Sequence, residues 1–119
     1  MLRDIRPSAD NIVMELGVGT GAITRHLRNI VPDDKSYLGI ELDSDLARKL
    51  KEEMPEMRIE SGNALEMHEI HARSGLGKVG YIICCLPFGT IPNEINERIL
   101  QEADRFMADG CLFRTFIYA

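Results

Sequence analysis

Residues 15–21 of this 119-residue chain read Glu-Leu-Gly-Val-Gly-Thr-Gly, and this stretch decides the fold. It follows a short apolar run with β-branched residues, 11–14, and precedes a segment whose apolar residues recur at helical spacing. The pattern predicts a buried strand, a tight glycine-rich turn and a helix. Alternating glycines let a ligand approach the backbone, and free amides at the start of a helix suit polar or anionic groups. We therefore expect a ligand site at this turn rather than a purely structural loop.

Apolar runs alternate with helical patterns along the rest of the chain. The predicted strands are residues 11–16, 36–41, 57–61, 79–86 and 111–118, with helical patterns after each of the first four. This alternation requires right-handed crossovers between parallel strands and places helices on both faces of the sheet. The sequence therefore predicts a single doubly wound α/β domain over residues 1–119. In such sheets ligands bind beyond the carboxyl ends of the strands, where the strand order reverses.

Composition and charge exclude several classes of protein. Hydrophobic residues make up 45% of the chain and charged residues 28%, which are values of a soluble globular domain. The net charge of −5 opposes nonspecific binding to nucleic acid. The longest apolar run, residues 79–86, is far shorter than the ~20 residues that span a bilayer. Because residues 1–6 carry charges where an export signal needs an apolar stretch, we expect a cytoplasmic protein without a transmembrane segment.

The cysteines and histidines predict no metal site. Cys84, Cys85 and Cys111 all lie in apolar runs, which is typical of reduced, buried thiols. His68 and His71 are one helical turn apart, but no third ligand follows at a suitable spacing. We expect these two histidines to be solvated.

Two carboxylates at strand ends bear on the ligand. Glu15 precedes the first glycine, where it would repel a pyrophosphate and attract an ammonium group. Glu41 ends the second strand, and a carboxylate there can accept hydrogen bonds from two ribose hydroxyls. Gly17, Gly19 and Ala22 also satisfy the dinucleotide fingerprint, so an NAD-binding module remains an alternative.

Taken together, these residues resemble class I S-adenosylmethionine-dependent methyltransferases. The first motif of that family is matched by residues 15–21, its acidic second-strand motif by 39–43 and its third motif by 61–65. The resemblance implies S-adenosylmethionine as the cofactor, bound by Glu15, Gly17, Gly19, Thr20, Gly21, Glu41, Leu42, Asn63 and Ala64. At Asn63 the family usually has Asp, which meets the adenine amino group. The carbonyl oxygen of Asn can accept the same hydrogen bond, although a turn residue is an equal interpretation.

The fourth strand ends in residues 84–88, Cys-Cys-Leu-Pro-Phe, which resemble the substrate-facing motif of amino-group methyltransferases. The rRNA adenine dimethyltransferases have Asn where this chain has Cys85, so the motif looks more like that of the phospholipid N-methyltransferases. We expect Cys85, Leu86, Pro87 and Phe88 to form the catalytic centre. Backbone carbonyls around the first two would face the developing ammonium, the proline would hold the turn, and the phenylalanine ring would offer its face.

The resemblance implies methyl transfer to an amine, with the headgroup of phosphatidylethanolamine as the favoured acceptor. The alternatives are an rRNA adenine methyltransferase, a cofactor-binding fragment without turnover and, last, an NAD module. The family fold has seven strands and this sequence supplies five, so the last two strands are expected to be lacking. The uncovered edge strand favours self-association, and any membrane contact is expected to be peripheral. Tyr118, at the end of the fifth strand, is expected either against the substrate or in the core.

Overall fold

Strands and helices alternate along the chain as predicted. The computed structural model describes residues 2, 4–87, 89–108 and 110–115. The strands are β1 Ile12–Leu16, β2 Tyr37–Glu41, β3 Ile59–Ser61, β4 Val79–Cys84 and β5 Leu112–Thr115. The helices are α1 Ala22–Arg28, α2 Ser44–Glu53, α3 Met67–Ser74 and α4 Asn93–Met107, and a 3₁₀ turn, Ala64–Glu66, leads into α3. Phe88 and Tyr118, for which the sequence predicts site roles, lie outside the described residues.

The strands form one parallel sheet in the order β3-β2-β1-β4-β5. The chain builds outward from β1 to β3 on one side and then crosses to β4 and β5 on the other. The strand order therefore reverses between β1 and β4, which is where a doubly wound sheet binds its ligand. This topology confirms the predicted fold class, and it leaves β3 and β5 as the edges of the described sheet. Self-association through an edge stays a prediction.

Alternate residues of the central strands point to opposite faces and create two apolar cores. One face packs Met14 and Ile82 against α3 and α4, and the other packs Val13 and Ile83 against α1 and α2. All five residues of β1 and of β2 are buried. Each fully buried aliphatic side chain contributes roughly 1.5–3 kcal/mol, so the centre of the sheet is a rigid platform for the strand ends.

The helix ends differ from the predicted ones where local hydrogen bonds decide them. α1 ends at Arg28, because the Asn29 amide donates to the carbonyl three residues earlier, and Ile30 is 37% exposed rather than buried. The helical spacing of residues 23, 27 and 30 in the sequence predicts that Ile30 faces inward with Ile23 and Leu27, and for Ile30 that prediction is wrong. α2 begins as its sequence indicates, since Asp43 accepts hydrogen bonds from the amides of Asp45 and Leu46.

The two histidines of α3 are half-buried and packed against neighbouring groups rather than fully solvated, which corrects the expectation from their spacing. The ring of His68 stacks on Phe106 with centroids 4.0 Å apart, and its Nε2 lies 2.8 Å from the carbonyl oxygen of Glu102. His71 Nε2 lies 2.7 Å from the carbonyl oxygen of Gly77. Both rings tie α3 to its neighbours, a packing that a short polar helix does not reveal in its sequence.

The thiols of Cys84, Cys85 and Cys111 are buried and form no disulfide bonds, as predicted. Within the described ranges, no cluster of His, Cys, Asp or Glu could hold a metal ion. No helix in that part of the chain is both long and apolar enough to cross a membrane.

Candidate functional site

A cavity of about 410 Å³ opens at the carboxyl ends of the strands, at the reversal point of the sheet. We call one side the polar wall; it follows β1, β2 and β3 and consists of Gly17, Gly19, Ile40, Glu41, Leu42, Gly62, Asn63 and Ala64. We call the other side the apolar wall; it follows β4 and consists of Cys85, Leu86, Pro87, Ile91, Ile95 and Ile99. The cavity thus joins most of the predicted cofactor residues to the predicted substrate-facing turn.

The turn after β1 requires glycine for two different reasons. Gly17 has a φ of 77°, and a Cβ atom there would lie 2.8 Å from Leu86 Cδ2, so the two walls touch at this residue. Gly19 has a φ of 60°, and a Cβ atom there would meet nothing within 4 Å. A side chain at position 19 would therefore fill open space at the cavity. The backbone itself forms this part of the polar wall.

The amides of the three glycines in this turn are all engaged within the protein. Gly17 donates to the Ile40 carbonyl at 2.9 Å, and Gly21 donates to the Val18 carbonyl at 3.0 Å. Gly19 donates to Glu41 Oε1 at 2.7 Å. The expectation of free glycine amides suited to an anion is therefore wrong for these three groups. A pyrophosphate would find its usual donors at these positions occupied, which argues against a dinucleotide.

Glu41 is held at the rim of the polar wall by backbone groups. Its Oε1 accepts from Gly19 and its Oε2 accepts from the amide of Asp43 at 2.9 Å. The residue is 8% exposed and lines the cavity. Each carboxylate oxygen can accept more than one hydrogen bond, so both retain capacity for a pair of hydroxyls. The geometry fits the ribose role, which stays a prediction.

Glu15 is fully buried and, among the described residues, is not part of the cavity lining. Its Oε1 accepts from Thr24 Oγ1 and from the Tyr37 hydroxyl, both at 2.7 Å, and the Cys85 thiol approaches its Oε2 at 4.0 Å. Removal from water raises the pKa of Glu15 from 4.5 to about 7, and the charge of Glu41 acts in the same direction. The carboxyl therefore points beneath the turn and not into the cavity, an arrangement that does not support the predicted contact with a ligand ammonium.

Asn63 has the turn role that its sequence left open, and its predicted contact with adenine stays a prediction. Its Oδ1 accepts from the Leu65 amide at 2.9 Å and caps the 3₁₀ turn, while the residue also lines the cavity. Leu42 and Ala64 line the cavity beside it.

Thr20 and Gly21 are not among the described residues that line the cavity. Thr20 is exposed, and its carbonyl accepts from Arg25 Nη1 at 2.8 Å. A Cβ atom at Gly21 would collide with Leu50 Cδ2 at 2.6 Å, so this glycine permits close packing of α1 on α2. Their expected contacts with a cofactor have no counterpart in the cavity.

The turn after β4 is held by hydrogen bonds from its own backbone. The Cys85 amide donates to the Leu16 carbonyl at 2.9 Å, and its thiol faces Glu15. The Pro87 carbonyl accepts from the Thr90 amide at 2.9 Å and from the Thr90 hydroxyl at 3.0 Å. The carbonyl oxygen of Pro87 is thus engaged in closing the turn, and the role predicted for the proline ring stays a prediction.

Three isoleucines of the apolar wall carry no chemical signal in the sequence. Ile95 and Ile99 have the helical spacing that predicts a buried face, and sequence reasoning assigned them to the core only. Ile91 precedes α4 in a loop. In the structure all three reach the cavity, because α4 begins directly behind the turn after β4.

Comparison with known proteins gives one family and two kinds of relative. Residues 13–110 match the family described as methyltransferase domain. The chain is 25% identical over 115 residues to an ornithine lipid N-methyltransferase of Singulisphaera acidiphila, covering 94% of this chain and 60% of that protein. It is 32% identical over 90 residues to ribosomal RNA small subunit methyltransferase A of Chlorobaculum parvum, and this match covers 76% of this chain and 29% of that protein. The chain therefore spans less than two thirds of either relative.

Solved structures share the fold at low sequence identity. A Thermoplasma acidophilum protein superposes with a TM-score of 0.64 at 13% identity, covering 93% of this chain and 53% of that one. PKMT2 from Rickettsia typhi, solved in complex with AdoHcy, superposes with a TM-score of 0.60 at 17% identity, and the match covers 82% of this chain and 19% of that one. The 23S rRNA methyltransferase ErmE superposes with a TM-score of 0.55 at 22% identity, and the match covers 82% of this chain and 35% of that one. At these identities the likeness concerns the fold alone.

Proposed function

We propose that this chain, which belongs to the methyltransferase domain family, binds S-adenosylmethionine and transfers its methyl group to the amine of a lipid headgroup. The observation that carries the proposal is the cavity at the carboxyl ends of the strands. There the polar wall, which includes the carboxylate of Glu41, meets the apolar wall at the contact between Gly17 and Leu86. Cofactor and acceptor would thereby lie side by side at the reversal point of the sheet.

The polar wall fits the nucleoside part of the cofactor. Glu41 presents two carboxylate oxygens, each already oriented by one backbone amide, and would accept the two ribose hydroxyls. Gly19 leaves open space where any side chain would project. Asn63 would meet the adenine amino group through Oδ1, which retains acceptor capacity beyond its bond to Leu65. These features support S-adenosylmethionine over a dinucleotide, since the glycine amides that would bind a pyrophosphate are engaged.

The bound cofactor supplies an activated methyl group, so the protein contributes mainly position and exclusion of water. Leu86 and the three isoleucines of the apolar wall exclude water from the region beside the polar wall. The closed turn at Pro87 fixes the backbone of Cys85 and Leu86 against the end of β1. Their carbonyls would face the amine that gains positive charge.

The apolar wall favours a lipid amine over a base of RNA. The side chains that form this wall in the described chain are uncharged and mostly aliphatic, so they suit the apolar part of a lipid better than the polyanionic backbone of RNA. The net charge of −5 also opposes RNA. Cys85 directs its thiol toward Glu15, so it does not supply the amide group that the resemblance assigns to adenine recognition at this position. The ornithine lipid enzyme, which aligns with 94% of this chain, supports the same choice. Phosphatidylethanolamine is our first acceptor, presented at a membrane surface.

The test is methyl transfer from labelled S-adenosylmethionine with three acceptors in parallel. The acceptors are vesicles of phosphatidylethanolamine in phosphatidylcholine, vesicles containing an ornithine lipid, and an adenine-containing RNA hairpin. We expect label in one or both lipid amines and none in phosphatidylcholine alone. Label only in RNA would replace the proposal with the rRNA alternative, for which the relative at 32% identity is the supporting observation.

Calorimetry with S-adenosylhomocysteine and with NADH separates binding from turnover. We expect S-adenosylhomocysteine to bind and NADH not to bind. Binding without transfer to any acceptor would reduce the proposal to a cofactor-binding fragment. Tight binding of NADH alone would refute both.

A further inference from the structure

The carboxyl of Glu15 is buried beneath the two walls of the cavity and contacts side chains that lie beside each wall. Its Oε1 accepts hydrogen bonds from Thr24 on α1 and Tyr37 on β2, which flank the polar wall. Its Oε2 faces the thiol of Cys85, which begins the turn of the apolar wall. Three separate segments of the chain therefore meet at this side chain of β1, and no step of the proposed methyl transfer uses it.

The two oxygens of Glu15 respond differently to a proton. Thr24 and Tyr37 each point a hydroxyl hydrogen at Oε1, and Oε1 can accept from both whether the carboxyl is ionised or neutral. Burial and the neighbouring Glu15 raise the pKa of Tyr37 well above its ordinary value, so its hydroxyl stays a donor. At Oε2, by contrast, an ionised carboxyl accepts from the Cys85 thiol, whereas a protonated one can turn its own hydrogen toward the sulfur. Only the contact with the Cys85 turn changes direction.

We propose that Glu15 is a positioning residue for the acceptor side of the site, which couples its own ionisation mainly through Cys85 to the 85–87 turn, because its hydrogen bonds beside the polar wall keep their direction. The role of that turn in acceptor binding rests on the proposed function, but the coupling itself does not. The titratable groups that act on Glu15 are Tyr37 on β2, Glu41 at the end of β2 and Cys85 after β4.

The coupling is measurable without any activity, by nuclear magnetic resonance of the whole chain labelled with ¹⁵N and with ¹³C in Glu carboxyls. We expect the Glu15 carboxyl signal to titrate with a midpoint at about 7. The amides of Leu86 and Thr90 should titrate with the same midpoint, and those of Ile23 and Arg25 in α1 should move less. Glu15→Gln, which keeps the shape of the side chain and its acceptor oxygen, should abolish the titration of the turn.

Two alanine variants make the assignment specific. Cys85→Ala should remove the titration of the Leu86 amide while the Glu15 carboxyl still titrates. Cys111→Ala is the matched control, because this buried thiol packs into the core on the opposite face of the sheet, contacts the carbonyl of Leu112 and should leave the titration in place. Titration of Leu86 that persists in Glu15→Gln, or that is equally large in α1, would overturn the proposal. A wild-type turn that does not titrate would do the same.

The enzymatic consequence has its own readout. Between pH 6 and 8, the dissociation constant of S-adenosylhomocysteine should stay constant, while KM for the lipid acceptor should show an inflection that Glu15→Gln removes. A cofactor affinity that follows the Glu15 titration would contradict the assignment to the acceptor side. A chain without turnover would refute the proposed function but not the coupling, because the amide titration is independent of catalysis.

Discussion

The polar wall and the apolar wall of the cavity are built by different means. Three strand ends supply the polar wall, and backbone hydrogen bonds orient its functional atoms, as the amides of Gly19 and Asp43 do for Glu41. One turn and one helix supply the apolar wall, whose isoleucines contribute only volume and the exclusion of water. The difference teaches that a nucleoside demands particular atoms at particular positions, whereas the acceptor side demands shape, which many sequences satisfy.

The largest effect should come from removing the functional carboxylate of the polar wall. Glu41→Ala deletes both acceptors for the ribose hydroxyls, and hydrogen bonds to a charged group contribute about 1.5–3 kcal/mol each. We expect the dissociation constant of S-adenosylhomocysteine to rise on the order of 100-fold by calorimetry. Glu60→Ala, on the neighbouring strand β3 and outside the cavity lining, is the matched control. An unchanged affinity in Glu41→Ala would remove the ribose assignment.

The next effect concerns Glu15, which supports both walls. Its pKa is raised by burial from 4.5 to about 7, so between these values the folded protein holds a proton that the unfolded chain releases. This contribution to stability is complete below pH 4.5 and is lost as the pH rises to 7. The free energy of unfolding lost in this way is at most about 3 kcal/mol. Urea unfolding should show this loss in wild type and not in Glu15→Gln.

Glu56→Gln is the control for that measurement, because Glu56 forms a half-exposed surface pair with Arg28. Its pH dependence should match that of wild type. An equally steep loss of stability in Glu15→Gln would show that another group causes it.

A smaller effect is expected at the contact between Gly17 and Leu86, where the two walls meet. Gly17→Ala places a methyl group against Leu86 and imposes a positive φ on alanine, which together should cost about 1–3 kcal/mol of stability. Gly75→Ala has a similar φ of 71° with nothing within 4 Å, so it isolates the backbone cost. We expect Gly17→Ala to be the more destabilising variant in thermal unfolding. Leu86→Ala in the same chain should recover part of the difference; equal losses at both glycines would refute the contact.

The smallest effect separates the two roles of Asn63. Asn63→Asp keeps the side-chain acceptor that caps the 3₁₀ turn, whereas Asn63→Ala loses it at a cost of about 1 kcal/mol. If the residue also meets adenine, S-adenosylhomocysteine should bind Asn63→Asp about as well as wild type and Asn63→Ala several-fold more weakly. Equal affinities for all three proteins would leave only the capping role.

The sequence predicted the parts of the molecule that need special residues. The parallel α/β fold is confirmed by the sheet, and the family, with the S-adenosylmethionine cofactor that it implies, by the family match over residues 13–110. Glu41 and Gly17, which line the cavity, could be predicted, because an acidic residue at a strand end and a glycine with a positive φ leave visible signals in the sequence. Ile30 and the histidines of α3 were placed wrongly, since periodicity does not say where a helix ends or which neighbour covers a polar face.

Glycine spacing, strand periodicity and acidic strand ends are local properties, so the sequence by itself determined the strand–turn–helix unit and the position of a ligand site beside it. Only the tertiary structure decided that Glu15 points beneath the turn toward Thr24, Tyr37 and Cys85, and that α4 brings its isoleucines to the cavity. The physical reason is that side-chain direction at a strand end depends on which buried groups can satisfy it. Those groups are 9 to 70 residues away along the chain.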